Sequence, residues 1–274
     1  MPLSFALNRM CAPRMPLHAF AGMARRLGVG AIEIRNDLAQ VEIEDGTPAR
    51  QLGAIARDHG LVIRSINALQ RFEQFDAARA AEAQALMAYA AGCGAQALVL
   101  CPTNSLRDTR TAAQRKDDLV HALSRLVPML ADHGLSGLVE PLGFEECAVR
   151  RKSQAVTAIE MLGRPACLGL VHDTFHHHLA GEDQMFPDLT GLVHVSGVDD
   201  PALPPAAMRD GHRVLVGAAD RLGNAAQLAR LLADGYPGLV SFEPFADEIA
   251  QAGDIEARLA ASMRHLQAAL QGLP

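Results

Sequence analysis

At 274 residues the chain is close to the roughly 250 typical of one (β/α)8 barrel, although this length would also accommodate two smaller domains. Hydrophobic residues make up 49%, charged residues 20% and aromatic residues 4%, which is enough apolar material for a sizeable core. The formal net charge of -6 argues against a nucleic-acid partner, and the short basic runs at 25–26 and 150–152 do not change that.

Short apolar runs alternate with longer helical patterns along the whole chain. Predicted strands cover 4–7, 31–35, 61–66, 97–101, 137–141, 168–173, 192–197 and 239–244. Helical patterns lie at 16–27, 48–58, 76–91, 111–132, 153–162, 224–233 and 247–270, with a short helix expected after Asp173. Many helices end on a glycine signature (LGVG, DHG, AGCG, ADG), as expected when a left-handed residue closes a helix before the next strand. The strands are near-continuous apolar runs, the pattern of a parallel sheet covered on both faces. Eight βα units favour an α/β fold of the closed (β/α)8 TIM-barrel type over a doubly wound sheet. No linker divides the chain, so residues 1–274 read as one domain. The longest irregular stretch, 198–223, follows the seventh strand on the rim where such barrels build their active sites.

Compartment and partners follow from what the chain lacks. The five cysteines (11, 93, 101, 147 and 167) form no CxxC pair and are odd in number, which fits a reducing compartment. The segment MPLSFALNRMCAPRMPL has no positive n-region or long apolar h-region, and no run is long enough to span a bilayer. A cytoplasmic protein without a membrane partner is expected.

Four possible metal ligands fall in or just after predicted strands: Glu140 in LVEPLGFE, Asp173 in LGLVHDTFHHH, His194 in GLVHVSG and Glu243 in GLVSFEPF. Taken singly, each has an ordinary alternative. Either glutamate could pair with an arginine or sit at a helix N-terminus, His194 could be a core histidine, and Asp173 could cap the next helix. Together they sit on adjacent strands about 4.8 Å apart, and three neighbouring buried carboxylates call for a cation. The hard donor set suits Mn2+, Mg2+, Co2+ or Zn2+.

Around this set, His176 falls one helical turn beyond Asp173, within reach of a substrate oxygen. His172 should point into the helix layer, and His177 and His178 should lie outside the metal's immediate ligands or face solvent. Glu33 and Arg35 share one face of the second strand, where they could pair with each other or orient a substrate. Asn8 and Asn67, just beyond the first and third strands, offer neutral hydrogen-bonding groups. Arg213 is the best cation for a carbonyl or alkoxide oxygen, with His212 a weaker choice.

These motifs (IEIR, LVEPLG, GLVHDTFHHH, VHVSG followed by DD, DGHR and VSFEPF) resemble the xylose-isomerase-like TIM-barrel sugar isomerases and epimerases nearly end to end. The closest likeness is to the inosose (keto-inositol) isomerases of inositol catabolism. The resemblance implies that Glu140, Asp173, His194 and Glu243 bind one divalent cation and that the two glutamates double as the acid–base pair. It also implies that His176 and Arg213 hold substrate oxygens, that Glu33 contacts substrate, and that the barrel associates into a homo-oligomer. The implied substrate is a small polyhydroxylated keto compound, with the proton moved through an enediolate. The implied reaction is isomerisation of an inosose or related keto-sugar. Ketose 3-epimerisation, hydroxypyruvate isomerisation and inosose dehydration are alternatives on the same site. One departure falls in the loop after Arg213, which reads VLVGAADRLG and keeps Gly217 but has Ala219 where relatives often carry a second glycine.

Two rival readings differ in class. A phosphodiesterase resembling endonuclease IV would need a trinuclear zinc cluster and a basic face, but the third and fourth strands end in Ile66-Asn67 and Cys101-Pro102, without histidines. A barrel that binds sugar without turnover would be favoured by loss of one glutamate, and both are present.

Overall fold

The computed structural model describes residues 3–272. Eight parallel strands close into a barrel in chain order: β1 (Ser4–Asn8), β2 (Ala31–Arg35), β3 (Val62–Gln70), β4 (Ala97–Cys101), β5 (Ser136–Val139), β6 (Leu168–Asp173), β7 (Thr190–Val195) and β8 (Leu239–Phe242). The last strand pairs with the first through Ser4↔Leu239 to Leu7↔Phe242. Around the barrel run α1 (Leu17–Arg26), α2 (Ala49–Asp58), α3 (Ala77–Cys93), α4 (Ala112–Asp132), α5 (Lys152–Met161), α6 (Thr174–Ala180), α7 (Asn224–Ala233), α8 (Asp247–Ala250) and α9 (Ile255–Gln271). No helix among the described residues is long and apolar enough to cross a membrane.

Period-two alternation sorts the strand side chains into two layers. Outward residues such as Leu98, Leu100, Leu170, Val193 and Val195 pack under the helices in the main core. Each such side chain contributes roughly 1.5–3 kcal/mol by leaving water. The opposite parity puts Ala97, Val99, Leu138, Val171 and Leu192 together in a separate apolar cluster inside the barrel. The same inward parity, continued two residues further, reaches Cys101, Glu140, Asp173 and His194. The apolar plug therefore forms the floor on which the polar residues stand.

Local signals explain the boundaries. Thr111 caps α4 through a reciprocal capping box with Gln114, and Gly94 ends α3 at φ 80°, as the AGCG signature predicts. Three expectations need correction. The third strand does not stop at Ile66: a register shift carries β3 on to pair Leu69↔Leu100 and Gln70↔Cys101, so Asn67 lies inside the strand. The ladders of β5 and β8 each end two residues earlier than expected, because Pro141 and Pro244 have no N–H to continue them. The pattern at 247–270 divides into α8 and α9, because residues 251–254 include Gly253 and the Ala252 N–H turns back to Ile249 O at 3.1 Å.

Candidate metal centre and cavity

The carboxyl ends of β5 to β8 bring Glu140, Asp173, His194 and Glu243 together in a buried cluster, one ligand atom of each lying within 4.8 Å of the others. Glu140 and Glu243 stand one residue past their strands. Their N–H groups still donate to Leu100 O and Val195 O, both at 3.0 Å, which fixes their depth. The Nδ1 atom of His194 lies 2.8 Å from Glu140 Oε1, 3.3 Å from Glu243 Oε2 and 3.9 Å from Asp173 Oδ2. Asp173 serves two purposes. Its Oδ1 accepts from the Phe175 and His176 N–H groups at 2.8 and 3.1 Å, capping α6, while Oδ2 faces the cluster. The capping and ligand alternatives thus coexist on its two oxygens.

The charges support a cation here. Four buried carboxylates (Glu33, Glu140, Asp173 and Glu243) surround two buried guanidiniums, Arg35 and Arg213, which also pair with Asp37 and Asp210, leaving an excess of negative charge. A divalent cation matches that excess, and the oxygen-rich donor set suits one. Arg213 donates through Nη2 to Asp173 Oδ2 at 2.6 Å and Glu243 Oε2 at 2.9 Å, and through Nε to Ser196 Oγ at 3.0 Å. Its guanidinium packs against the rings of Phe175 and Phe245 at 5.1 and 4.7 Å. Burial works against an ionised Glu243, but His194, Arg213 and Arg35 outweigh it and hold its pKa well below the usual carboxylate range. Burial likewise opposes charge on His194, and the surrounding Glu243, Glu33 and Glu140 push its pKa upward.

A cavity of about 410 Å3 opens over this cluster. Of the four clustered residues, Glu140 and Glu243 line it, whereas Asp173 and His194 stand behind. His176, Arg213 and Asn67 line it too, with Thr103, Asn104 and Ser105 supplying further polar groups. Asn8 and Glu33 are not part of its wall. Asn8 Nδ2 donates to Glu243 Oε1 at 3.1 Å, and Glu33 is fully buried beneath His194.

The second strand departs from the expected Glu33–Arg35 pair. Arg35, two residues nearer the rim, bonds Glu243 Oε1 at 2.9 Å and Asp37 Oδ2 at 2.6 Å instead. Sequence reasoning also missed Ser65 and Ser241, whose hydroxyls donate to Glu33, and Cys101, whose Sγ lies 3.5 Å from Glu140 Oε2. A signal was present, since Ser65 shares strand parity with Asn67, and Ser241 with Glu243. Outside the barrel, His172 points into the helix layer as expected, between Lys152 Nζ at 2.8 Å and Gln227 Oε1 at 2.9 Å. His177 is buried against it with ring centroids 4.7 Å apart, not solvent-facing. His212 is exposed and accepts the Arg209 N–H through Nδ1 at 2.9 Å.

Residues 22–269 match the model of the family described as xylose isomerase-like TIM barrel. An inosose isomerase of Bacillus licheniformis is 31% identical over 138 residues, 48% of this chain and 48% of that one, so the match spans about half of that relative's length. A xylose isomerase domain containing protein from Salmonella typhimurium LT2 is 32% identical with a TM-score of 0.89, covering 99% of both chains. The IOLI protein, solved with a binding zinc atom, superposes at a TM-score of 0.85 over 98% of both chains with 21% identity, a likeness of fold.

Proposed function

The chain belongs to the xylose isomerase-like TIM-barrel family, and from that premise we propose that it is a divalent-metal-dependent isomerase of an inosose or related keto-sugar. One observation carries this reading: the two glutamates of the four-residue cluster are the two that line the cavity. Asp173 and His194 are ligands only, while Glu140 and Glu243 serve both as ligands and as the proton-transfer pair. The half-length similarity to an inosose isomerase supports the choice of substrate class.

When bound in this set, a divalent cation supplies Lewis-acid polarisation of a carbonyl and acidifies the adjacent C–H. The residues divide the remaining work. Glu243 is held ionised by Asn8, Arg35 and Arg213, so it meets the substrate as a carboxylate and takes the proton from carbon. Glu140, with the Cys101 thiol beside Oε2, takes the proton of the adjacent substrate hydroxyl and returns it to carbon from the other side. The proton held on Glu243 passes to the alkoxide that remains, so both carboxylates end ionised. Arg213, whose Nη2 hydrogens are committed to Asp173 and Glu243, stabilises the negative oxygen of the enediolate as it develops with its charge and the Nη1 hydrogen that Asp210 does not take. His176 and Asn67 bind hydroxyls, and Phe144 and Phe245 keep water from the apolar side of the cavity. With an inosose this transfers the carbonyl to the neighbouring ring carbon; with an open ketose the same pair gives C3 epimerisation.

The test is a solvent-deuterium screen of metal-replete protein against inososes, ketohexoses, ketopentoses and hydroxypyruvate, read by NMR. Deuterium should enter at a carbon next to the carbonyl, most rapidly with an inosose. Binding without exchange in every case would favour a non-catalytic sugar-binding barrel.

A further inference from the structure

Glu33 is buried at the floor of the metal centre, yet it neither belongs to the four-residue cluster nor lines the cavity. Its Oε2 lies 3.1 Å from His194 Nε2 and accepts from Ser65 Oγ at 2.5 Å and Asn67 Nδ2 at 2.9 Å. Its Oε1 accepts from the Ser241 hydroxyl. Ser65, Asn67 and Ser241 all donate to it, so both carboxylate oxygens are engaged and neither is aimed at a substrate.

The imidazole of His194 stands between two acidic groups. Nε2 faces Glu33, while Nδ1 faces Glu140, Glu243 and Asp173 at 2.8, 3.3 and 3.9 Å. A neutral imidazole has one N–H and one lone pair, on different nitrogens. Glu33 is the carboxylate that faces Nε2, so a cation taking the Nδ1 lone pair among the other three carboxylates leaves the N–H on Nε2, where Glu33 accepts it. Accepting that bond also makes the imidazole a better donor to a metal.

We infer that Glu33 is a positioning residue: it holds His194 as the Nε2–H tautomer and so aims Nδ1 at the cation shared by Glu140, Asp173 and Glu243. Ser65, Asn67 and Ser241 hold Glu33 in turn, which explains why polar side chains occupy these inward positions below the rim. The inference rests on the metal-centre reading of the four residues.

The experiment titrates metal-stripped protein with Zn2+ and with Mn2+ by calorimetry, comparing wild type with Glu33→Gln and Ser241→Ala. The glutamine keeps the shape and removes the charge, so both metals should bind about 10–100-fold more weakly. Ser241→Ala leaves Glu33 in place with one donor fewer and should give a smaller loss in the same direction. In the zinc-loaded wild type with 15N-labelled histidine, a slowly exchanging downfield imidazole N–H should correlate with Nε2 of His194. That resonance should move upfield or broaden in Glu33→Gln, a change that a loss of stability alone does not produce. Wild-type metal affinity in a folded Glu33→Gln, or an N–H found on Nδ1 in the zinc-loaded protein, would overturn the inference. If Glu33→Gln does not fold, wild-type affinity in Ser241→Ala overturns it. Failure of the wild type itself to bind a divalent cation overturns the metal-centre reading, and the inference with it.

Discussion

Replacing Arg213 by alanine removes the guanidinium that joins Asp173 Oδ2 at 2.6 Å to Glu243 Oε2 at 2.9 Å. All three side chains are nearly inaccessible, at 1%, 0% and 3%, so the lost partner leaves two largely desolvated carboxylates uncompensated. Removing one member of a buried ion pair typically costs about 3–5 kcal/mol, because the remaining charge stays buried. For a protein of this size each kcal/mol corresponds to about 2–4 °C, so the melting temperature of the metal-stripped variant should fall by about 6–20 °C. A divalent cation neutralises the same carboxylates, so saturating Zn2+ or Mn2+ should restore part of that loss. Turnover should not recover with it: losing a donor to the developing oxyanion typically lowers kcat by about 10²–10³-fold. Arg213→Lys should fall between, since an ammonium cannot reach both carboxylates and Ser196 in the same geometry. Scanning calorimetry of stripped and loaded protein, with kcat measured on the loaded form, tests each step. A fall below about 2 °C in stripped Arg213→Ala would show that the guanidinium does not hold the two carboxylates together, and an unchanged kcat would show that it does not stabilise the oxyanion.

Asp173→Asn should retain the α6 cap, because asparagine is also a good capping residue, but weaken metal binding by at least about tenfold. Equal calorimetric affinities in the two proteins would count against Asp173 as a ligand. Gly143→Ala would put a Cβ atom 2.2 Å from His176 O at a φ of 64°, so the loop after β5 or the start of α6 must move. It should destabilise by about 1–3 kcal/mol in urea unfolding and raise KM more than it lowers kcat; a wild-type KM would show that His176 does not hold substrate. Burial pushes the Lys152 ammonium down to about 7. Between that pH and the unfolded value near 10.4 the unfolded chain holds more protons, so stability rises with pH, by at most about 2.7 kcal/mol from pH 7 to 9. Lys152→Met should lose this rise, and parallel pH profiles of the two proteins would contradict it.

The four-residue cluster was legible because the inward parity of β5 to β8 brings one polar side chain to the end of each strand, above an apolar plug. Alternation identifies a face but not a depth, and the errors come from that limit. Glu33 and Arg35 share a face, and their spacing gives no sign that the first lies under His194 while the second reaches Glu243 at the rim. The depth depends on register, and β2 shifts against β3 between Ile32 and Glu33. The extension of β3 past Ile66 was hidden for the same reason, since its bulge disturbs the alternation. The break between α8 and α9 falls in a helical pattern that continues on both sides, where Gly253 alone is a weak stop. Arg213 reads from the sequence as a cation for a substrate oxygen, whereas its bonds to Asp173 and Glu243 depend on how the 198–223 segment folds back through the Gly197↔Val214 bridge.

Glu140, Asp173, His194 and Glu243 are expected to hold one divalent cation between them. Anomalous X-ray diffraction from crystals of the zinc- or manganese-loaded protein would locate that ion. One strong peak per chain is expected at about 2.0–2.2 Å from His194 Nδ1 and from an oxygen of each carboxylate. A peak elsewhere, such as between His18 and His59, whose ring nitrogens lie 3.0 Å apart at the surface, or none at saturating metal, would contradict a shared cation at these four residues.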